Sequence, residues 1–413
     1  MKILPVEQVL ERIRSGSQVL LHSACAEPQT LVEALIGGIR AGHPNLQNLT
    51  VYALTYRAAG APTPLYGATD LLQNGQLHLK SFFPHPSLKE ASRLGLVDYV
   101  PVSLSTLPGL LRKGFIRPDW AFLQVSPPNE FEMCSFGPAG DLPEAILEAG
   151  IPVIAEMNRQ TPFVFGPQAA PERFAAIIES DRPLLEVPPL VAGPVERQVA
   201  ANVAELIPDG ATVQLGVGTI PEALVEFLKL RRNLGLHGGA LSDGLISLYE
   251  AGAVTNALKP FANGKTVSSL LIGTRRLFDF AHNNPLLELQ PIDRCNNPVF
   301  IAQLPGFISV NSALEVDYWG QVNAETIGDW QLAGVGGQLD YVTGTWYSQD
   351  GLSIIALPSV TGSGKPRIVP RLATGATIST PRHLAQVVVT EKGVADLRGK
   401  SLSVREKLLR SIS

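Results

Sequence analysis

The stretch GATVQLGVGTIPEALVEFL, residues 210–228, contains one complete strand–turn–helix unit. A glycine turn precedes the apolar run TVQL, which is typical of a buried strand, and the small residues GVG separate that run from a helical pattern. A similar series, GSQVLLHSACAEPQTLVEAL at residues 16–35, also has a glycine turn, an apolar run, a small-residue loop, a proline and a helix containing Leu-Val-Glu. The two stretches indicate an internal repeat with an offset of about 194 residues.

Elsewhere, short β-branched runs alternate with glycine turns and helical patterns, which predicts parallel α/β units. Strands are predicted at residues 18–21, 49–54, 78–82, 99–102, 119–125, 151–156, 212–215, 266–271, 299–302, 354–357 and 386–390, and helices at residues 29–39 and 245–251. The proline-rich segment 181–194 predicts an extended linker. We therefore predict an α/β fold of two tandem similar domains, residues 1–185 and 186–413, with a cleft between them.

The composition excludes several classes of protein. Hydrophobic residues make up 45% of the 413 residues and charged residues 17%, which predicts a large core and a buried subunit interface. A net charge of −4 without a Lys/Arg cluster argues against nucleic acid as a partner. Cys25, Cys134 and Cys295 lie far apart and match neither a disulfide framework nor a metal-ligand spacing.

The start of the chain, MKILPVEQVLERIRSG, lacks the apolar core of a signal peptide and predicts a short amphipathic helix. No apolar run approaches the roughly 18 residues that a membrane span requires. We therefore expect a cytoplasmic protein that does not interact with membranes.

Two glycine loops are candidates for binding an anion. In the first, Gly216 and Gly218 allow a ligand to approach the backbone, and the N–H groups at the start of the next helix favour negative charge. In the second, GVGGQLDY at residues 334–341, successive amides can form a nest for an oxyanion or phosphate. A tight strand-to-helix turn explains the first loop without a ligand, and a bulge or hairpin turn explains the second.

Several charged and polar residues have both a functional and a structural interpretation. Lys365 and Arg367 suit a phosphate-bearing ligand, or they are solvated surface charges. His237 lies just before two glycines and close to Ser242 and Asp243, where it can orient a substrate or serve as a buried structural histidine.

Glu315, Asp317 and Glu325 have a spacing that suits acid/base groups or, alternatively, anchors for turns and caps. Cys134 is either a site thiol or a small buried hydrophobic residue. The sequence contains no Ser-His-Asp, Cys-His or zinc pattern.

Together these motifs resemble the acetyl-CoA hydrolase/transferase family. The matching stretches, in order, are QVSPPNEFEMCSFG (from Gln124), VQLGVGTIPEAL (from Val213), LGLHGGALSDG (from Leu234), GAVTNALK (from Gly252), NSALEVDYWGQVNAE (from Asn311), GVGGQLDYVTG (from Gly334), RIVPRL (from Arg367) and VVVTEKGVADLRGKSL (from Val387). The resemblance covers nearly the whole chain. It implies two tandem α/β domains, an interdomain cleft that binds CoA or acyl-CoA as cosubstrate without a metal, and a homo-oligomer.

The resemblance also implies roles for individual residues. The CoA site is expected to include Gly216, Val217, Gly218, Thr219, Ile220, Gly336 and Lys365. The backbone amides of Val217, Gly336 and Gly337 are expected to form the oxyanion hole for the thioester carbonyl.

The sequence departs from the family at the position of the catalytic glutamate, which attacks the acyl-CoA and becomes a glutamyl-CoA thioester. When the chain is aligned on His237 and on Ser242-Asp243-Gly244, Gly239 takes the place of that glutamate and Gly238 that of a threonine. Glycine has no side chain and cannot be a nucleophile. Gly239→Glu is accordingly expected to create transferase activity.

Three hypotheses follow from this departure. The first is an enzyme that hydrolyses, transfers or decarboxylates an acyl-CoA without a glutamyl-CoA intermediate, with a carboxylic acid or another small molecule as acceptor. The second is a catalytically silent acyl-CoA-binding protein, such as a partner subunit of an active homologue. The third is an ordinary CoA-transferase whose carboxylate comes from elsewhere, such as Glu315 or Glu27, although attack geometry tolerates little displacement.

Overall fold

The computed structural model describes residues 3–54, 65, 67–83 and 88–413, and the chain divides into two compact units. The N-terminal unit comprises residues 1–102, 106–188 and 269–293, and the C-terminal unit comprises residues 103–105, 189–268 and 294–413. A single domain boundary between residues 185 and 186 stays a prediction. Among the described residues, no helix has both the length and the apolar character needed to cross a membrane.

The N-terminal unit is built on a parallel sheet. The strands in residues 1–188 are β1 (Gln18–Leu21), β2 (Leu49–Leu54), β3 (Leu77–Phe83), β4 (Val97–Tyr99), β5 (Trp120–Val125), β6 (Cys134–Ser135), β7 (Val153–Asn158), β8 (Gln168–Ala169) and β9 (Ala176–Ser180). The helices are α1 (Val6–Leu10), α2 (Gln29–Arg40), α3 (Thr69–Gln73), α4 (Lys89–Arg93), α5 (Leu107–Arg112) and α6 (Pro143–Glu148). The sheet order is β4-β3-β2-β1-β5-β7-β9, and the small pair β6–β8 is antiparallel.

Helix α2 packs its apolar face into the main core of this unit. Leu31, Leu35 and Ile39 recur at helical spacing and are buried in one cluster with strand residues such as Val51 and Phe122. Each fully buried leucine or isoleucine side chain contributes on the order of 1.5–3 kcal/mol. The helix is therefore held in place mainly by packing on the sheet.

The remaining strands are β10 (Thr212–Leu215), β11 (Gly235–Leu241), β12 (Thr266–Leu271), β13 (Leu287–Leu289), β14 (Phe307–Ser312), β15 (Glu315–Asp317), β16 (Val322–Asn323), β17 (Thr326–Ile327), β18 (Trp330–Gln331), β19 (Leu352–Ala356), β20 (Ile368–Val369), β21 (Val387–Thr390) and β22 (Gly393–Asp396). The remaining helices are α7 (Pro194–Ala204), α8 (Thr219–Leu228), α9 (Gly244–Glu250), α10 (Arg275–Ala281), α11 (Ile292–Cys295), α12 (Pro298–Ile301), α13 (Gln338–Tyr347) and α14 (Leu402–Ser411).

The C-terminal unit repeats the strand arrangement of the N-terminal unit. The second large sheet is ordered β13-β12-β11-β10-β14-β19-β21-β22, and β10 pairs in parallel with β11 and β14 as β1 pairs with β2 and β5. Strand β22 closes the edge in the antiparallel sense. This shared order agrees with the internal repeat, and the predicted α/β class is confirmed.

The predicted elements agree with the structure except at two places. Strands 18–21, 49–54, 212–215 and 266–271 are confirmed at the same bounds, and segment 181–193 contains no helix or strand. The predicted strand 299–302 is wrong, because Asn297 accepts a hydrogen bond from Val299 N at 2.9 Å and starts helix α12. The predicted strand 99–102 is also wrong in position, since β4 ends at Tyr99.

Candidate active site

The turn between β10 and α8 lies at the centre of the C-terminal unit. Strand β10 is buried along its whole length, and the chain turns through Gly216, Val217 and Gly218 before α8 begins at Thr219. Val217 is 37% exposed although it follows a fully buried strand. The first N–H groups of a helix have no partner within that helix, so this turn presents donors to a ligand.

The two glycines of this turn are not required by the packing of the described chain. A Cβ atom at Gly216 would lie 3.7 Å from Val310 O, and one at Gly218 would lie 3.7 Å from Pro221 Cδ, both ordinary contacts. Neither residue has left-handed backbone dihedrals. The absence of side chains therefore leaves free space beside the backbone, as the binding of a ligand would require.

A pair of buried amides joins the neighbouring strands. Gln214 on β10 and Asn311 on β14 exchange two hydrogen bonds, of 3.1 and 3.4 Å. A Cβ atom at Gly238 on β11 would lie 3.5 Å from Gln214 Cγ. Ligands of parallel α/β sheets bind near the carboxyl ends of the strands, where these residues lie.

Gly239 lies on β11 beside a buried amide. A Cβ atom at this position would lie 2.8 Å from Asn296 Oδ1 and 3.4 Å from Tyr341 Oη. Asn296 and Tyr341 are both buried, and the Tyr341 hydroxyl donates to Asn296 Oδ1 at 2.7 Å. The Asn296 amide thus occupies the space into which a side chain at 239 would project.

The second glycine loop also lies beside the side-chain amide of Asn296. Gly337 precedes the first residue of α13, and a Cβ atom there would overlap Asn296 Nδ2. Gly336 has a left-handed φ of 64°, and its carbonyl accepts a hydrogen bond from Leu104 N at 3.1 Å. The structure therefore brings Gly239 and Gly337 to two sides of Asn296, and the second loop is a helix start rather than a hairpin.

His237 is a buried, neutral histidine. Its Nε2 donates to the Cys295 carbonyl at 2.8 Å, and its ring packs edge-on against Phe261 and Phe307. Burial, together with the charge of Lys259, lowers the pKa of His237 to about 4. This geometry favours the structural interpretation, in which His237 positions the segment that carries Asn296.

Asp340 is a buried carboxylate near Asn296. It accepts hydrogen bonds from the hydroxyl groups of Ser103 and Ser105 and from Ser105 N. Burial raises the pKa of Asp340, and the hydrogen bonds from Ser103 and Ser105 oppose that rise. Asp340 lies in the motif GVGGQLDY, but the sequence alone did not connect it with Gly239.

Lys365 and Arg367 lie on a separate turn. Lys365 is exposed, and its N–H and carbonyl close the turn through Thr361 at 3.0 and 2.7 Å. Arg367 is half-buried and donates to the Ala313 carbonyl at 3.4 Å. Within the described residues, no hydrogen bond joins this turn to residues 216–220 or 336–337.

The three acids at strand-like spacing are engaged in structural contacts. Glu315 accepts a hydrogen bond from Asn323 Nδ2 at 3.1 Å, and Asp317 accepts two N–H groups of its own turn at 2.9 Å. Glu325 accepts from Gln331 Nε2 at 3.4 Å. These contacts are those of anchors for turns rather than of acid/base groups.

Ser242 and Asp243 lie close to helix α8. Burial raises the pKa of Glu222, and so does the charge of Asp243, whereas a hydrogen bond with Ser242 lowers it. A Cβ atom at Gly244 would lie 2.7 Å from Val225 Cγ2. This glycine therefore allows close packing of α8 and α9.

The cysteines Cys25, Cys134 and Cys295 are all buried. Burial, with a smaller effect of Glu172, raises the pKa of Cys134 to about 11, so its thiol is protonated at neutral pH. Cys295 Sγ donates to the Gly238 carbonyl at 3.2 Å. In the part of the chain that the structure describes, no group of three or more His, Cys, Asp or Glu residues is placed to hold a metal.

Sequence reasoning missed Asn296, Tyr341 and Asp340. Asn296 and Tyr341 are separated by more than 40 residues in sequence and meet Gly239 only in the fold. In the sequence, Asn296 lies shortly before the apolar segment 298–301, and nothing in that pattern indicates a binding site. A helix start at Gly337 would have indicated that Asp340 and Tyr341 share one end of α13.

Models of known protein families match both parts of this chain. The acetyl-CoA hydrolase/transferase N-terminal domain matches residues 1–171, and the acetyl-CoA hydrolase/transferase C-terminal domain matches residues 273–413.

Individual relatives match nearly the full length. The chain is 37% identical to the 4-hydroxybutyrate coenzyme A transferase of Clostridium kluyveri, covering 100% of this chain and 94% of the relative. It is 35% identical to the succinyl-CoA:acetate/propanoyl-CoA:succinate CoA transferase of Fasciola hepatica, covering 97% and 83%. Among solved structures, RipA from Yersinia pestis superposes with a TM-score of 0.92 at 31% identity, covering 100% of this chain and 94% of that one.

Proposed function

Because the chain belongs to the acetyl-CoA hydrolase/transferase family, we propose that it binds an acyl-CoA and acts on the thioester without forming a glutamyl-CoA intermediate. The reactions that fit are hydrolysis, acyl transfer to another nucleophile, and decarboxylation of the acyl group. The relatives are named for 4-hydroxybutyrate, succinyl, acetate and propanoyl groups, so short acyl groups are the first substrates to test. A cytoplasmic homo-oligomer, with or without a different partner subunit, is part of the same proposal.

The observation that carries this proposal is the position of the Asn296 amide beside Gly239, where a Cβ atom at 239 would lie. A glutamate at 239 would need the volume that the Asn296 amide fills, and Asn296 is held there by the Tyr341 hydroxyl. The groups around position 239 are thus an amide and a phenol, and neither forms an acyl intermediate readily at neutral pH. For hydrolysis and acyl transfer, the proposed nucleophile is therefore water or a second substrate, whereas decarboxylation needs none.

The proposed catalysis depends on backbone donors. The amides of Val217, Gly336 and Gly337 are proposed to hold the oxyanion that forms when the nucleophile adds to the thioester carbonyl. In hydrolysis, the oxygen of water adds to that carbon and the C–S bond breaks. One proton of the water passes to the CoA thiolate, and the remaining OH stays on the acyl carbon, so the products are the free CoA thiol and the carboxylic acid. Removal of one such donor typically costs about 10²–10³-fold in kcat.

The test is a panel of acetyl-, butyryl- and succinyl-CoA, each with and without free carboxylic acids, followed by CoA release and by intact protein mass. Turnover without a mass increase supports the proposal. A CoA adduct trapped on any carboxylate would overturn it and would instead indicate a displaced nucleophile. Glu315 is a poor candidate for that nucleophile, because its Oε1 already accepts bonds from Asn323 and Ala373; Glu27 is buried in the N-terminal unit.

A second candidate function is that of a silent acyl-CoA-binding protein. The burial of Asn296 and Tyr341 favours it, because the position of the family's nucleophile is filled by groups bonded to each other. Binding of acyl-CoA without turnover across the panel is the outcome that distinguishes this candidate from the enzyme.

A further inference from the structure

Two arginines lie over the indole of Trp319 in the C-terminal unit, and a third donates to the Trp319 backbone carbonyl. The guanidinium carbon of Arg371 lies 3.3 Å from the centroid of the Trp319 ring, and that of Arg382 lies 5.3 Å from it. Arg405 on α14 donates through Nη1 to the carbonyls of Trp319 at 3.2 Å and Arg382 at 2.6 Å. We call these four residues the Trp319 cluster.

The cluster is built on a hydrogen-bonded turn. Trp319 lies between β15 and β16, where Asp317 accepts hydrogen bonds from Trp319 N and Gln321 N at 2.9 Å. Gly320 has a φ of 88°, and a Cβ atom there would lie 3.1 Å from Arg405 Nη1. The left-handed φ therefore favours glycine, and an added Cβ would crowd the guanidinium group of Arg405.

Among the residues that the structure describes, no carboxylate neutralises the charges of the cluster. In the described residues, Arg371, Arg382 and Arg405 form no ion pair with a carboxylate, whereas the nearby Arg398 and Arg410 pair with Asp396 and Glu406. Burial lowers the pKa of Arg405, and the charge of Arg382 lowers it further. Like charges at close range cost free energy unless an anion binds between them.

The chemistry of the cluster selects the anion. Guanidinium groups bind phosphate through paired N–H donors, and a guanidinium stacked on an aromatic ring keeps those donors at its edge. Arg371 and Arg382 are both exposed. Arg371 Nη1 donates to the Pro370 carbonyl at 2.6 Å, and in the described chain the other guanidinium N–H groups of Arg371 are left for an anion.

The cluster is also connected to the second glycine loop. Gln338, the first residue of α13, donates through Nε2 to Thr380 Oγ1 at 3.1 Å. Thr380 is buried and lies two residues before Arg382. The segment that carries Arg382 is thus fixed to the residue that follows Gly337.

We propose that the Trp319 cluster is a binding site for a phosphate-type polyanion, such as a phosphomonoester or pyrophosphate group. Such a group is supplied by the nucleotide end of CoA or by a free phosphate compound. The assignment to CoA rests on the proposed function, whereas binding of a free phosphate compound does not.

The experiment measures binding of inorganic pyrophosphate, CoA and pantetheine to the full-length chain by isothermal titration calorimetry. The double variant Arg371→Gln/Arg382→Gln is compared with Arg410→Gln, which removes a cation whose charge is already paired. We expect the double variant to weaken pyrophosphate binding by roughly tenfold or more, as for lost charge-assisted hydrogen bonds, and Arg410→Gln to change it by less than about twofold.

The three ligands separate the sources of the phosphate. If CoA weakens in parallel with pyrophosphate while pantetheine, which has no phosphate, does not respond to the variant, the site serves the nucleotide end of CoA. If pyrophosphate weakens and CoA does not, the site binds a free phosphate compound.

The proposal is overturned if the wild-type chain does not bind pyrophosphate at millimolar concentration, or if the double variant and Arg410→Gln behave alike. Arg371→Lys/Arg382→Lys keeps the charge but loses the paired N–H donors, and it replaces the glutamine variant if that variant does not fold. We expect it to bind pyrophosphate more weakly than wild type, and unchanged binding would overturn the proposal. Since pyrophosphate binding needs no thioester, absence of acyl-CoA turnover would count against the proposed function alone.

Discussion

The turns after β1 and after β10 occupy equivalent places in their units but are filled differently. Both follow the strand that pairs with two parallel neighbours, and both lead into an amphipathic helix. After β1, His22, Ser23 and Cys25 are buried, whereas Val217 after β10 is 37% exposed. One strand–turn–helix plan therefore gives a sealed turn in the first unit and an open turn in the second.

Side-chain hydrogen bonds seal the first turn. His22 Nε2 donates to the Ala139 carbonyl at 2.9 Å, and Nδ1 accepts from Gln124 N at 3.2 Å. The Ser23 hydroxyl donates to Asp141 Oδ2 at 2.6 Å. Polar groups that would bind a ligand in an open turn are here satisfied within the protein, so we assign the candidate site to the glycine turn alone.

The largest expected effect concerns Asp141 in the sealed turn. Burial raises the pKa of this carboxyl from 3.8 to about 6, against the opposing hydrogen bond from Ser23. Because the folded-state pKa is raised, the folded state binds the proton more tightly than the unfolded state. Stability from this group is therefore fully present below about pH 4 and is lost as the pH rises to 6.

Asp141→Asn removes that dependence. We expect its free energy of unfolding, relative to wild type, to increase by about 3 kcal/mol between pH 4 and pH 7. Urea unfolding at four pH values measures this difference. His22 is present in both proteins, so its contribution to the pH dependence cancels in the difference. A difference that stays constant with pH would show that burial in this turn does not raise the pKa of Asp141.

The second largest expected effect concerns Gly216 in the open turn after β10. Gly216→Ala places a methyl group beside the backbone of this turn. The methyl group would make only ordinary van der Waals contacts with the protein, so the fold can accommodate it. We expect thioester turnover, or acyl-CoA affinity if there is no turnover, to fall by about 100-fold, because a ligand positioned by this backbone would be displaced. The thermal midpoint is expected to change little, which separates lost binding from lost folding.

Much of the fold could be predicted from the sequence, and much less of the site. Buried parallel strands are short β-branched runs, so 49–54 and 266–271 were predicted at their observed bounds. The run 299–302 was mistaken for a strand because four apolar residues carry no distinguishable period. Asn297 and Pro298, which start the helix there, are local signals that outweigh the apolar run.

The composition of the site depends on contacts between distant segments. His237, Gly239 and Gly337 were selected from the sequence, but Asn296 and Tyr341 were not, since only tertiary structure places them against Gly239. Local periodicity and motif spacing contain no information on such contacts. The roles of Val217, Gly336, Gly337 and Lys365 in binding CoA, and the cleft between the domains, stay predictions.

Restoring a carboxylate at 239 has a smaller expected effect than altering the turns. Gly239→Glu alone places its Cβ 2.8 Å from Asn296 Oδ1, so we expect a loss of about 2 kcal/mol in the free energy of unfolding and no CoA adduct. In the double variant Gly239→Glu/Asn296→Gly, the Asn296 amide is removed and the glutamate has room beside β11. We expect the double variant to lose less stability than the two single variants summed and to form a glutamyl-CoA adduct detectable by mass.

The position of Asn296 revises the expectation that Gly239→Glu alone is sufficient for transferase activity, and the double variant tests the revision. Asn296→Gly alone is the control, and it should form no adduct. An adduct on Gly239→Glu alone would show that Asn296 moves aside easily, whereas a folded double variant without an adduct would show that the site differs from the family by more than these two residues.

The smallest effect concerns two glycines of α2, whose counterpart α8 contains none. A Cβ atom at Gly37 meets no atom within 4 Å, whereas one at Gly38 would lie 2.5 Å from Leu46 Cδ1 in the core. We expect Gly37→Ala to raise the free energy of unfolding by about 0.5–1 kcal/mol, because alanine loses less backbone entropy in a helix. Gly38→Ala should lower it, because the leucine must move. Urea unfolding measures both changes. Acyl-CoA turnover or affinity should be unchanged in Gly37→Ala, because Gly37, unlike Gly216, does not lie in the turn proposed to bind the ligand.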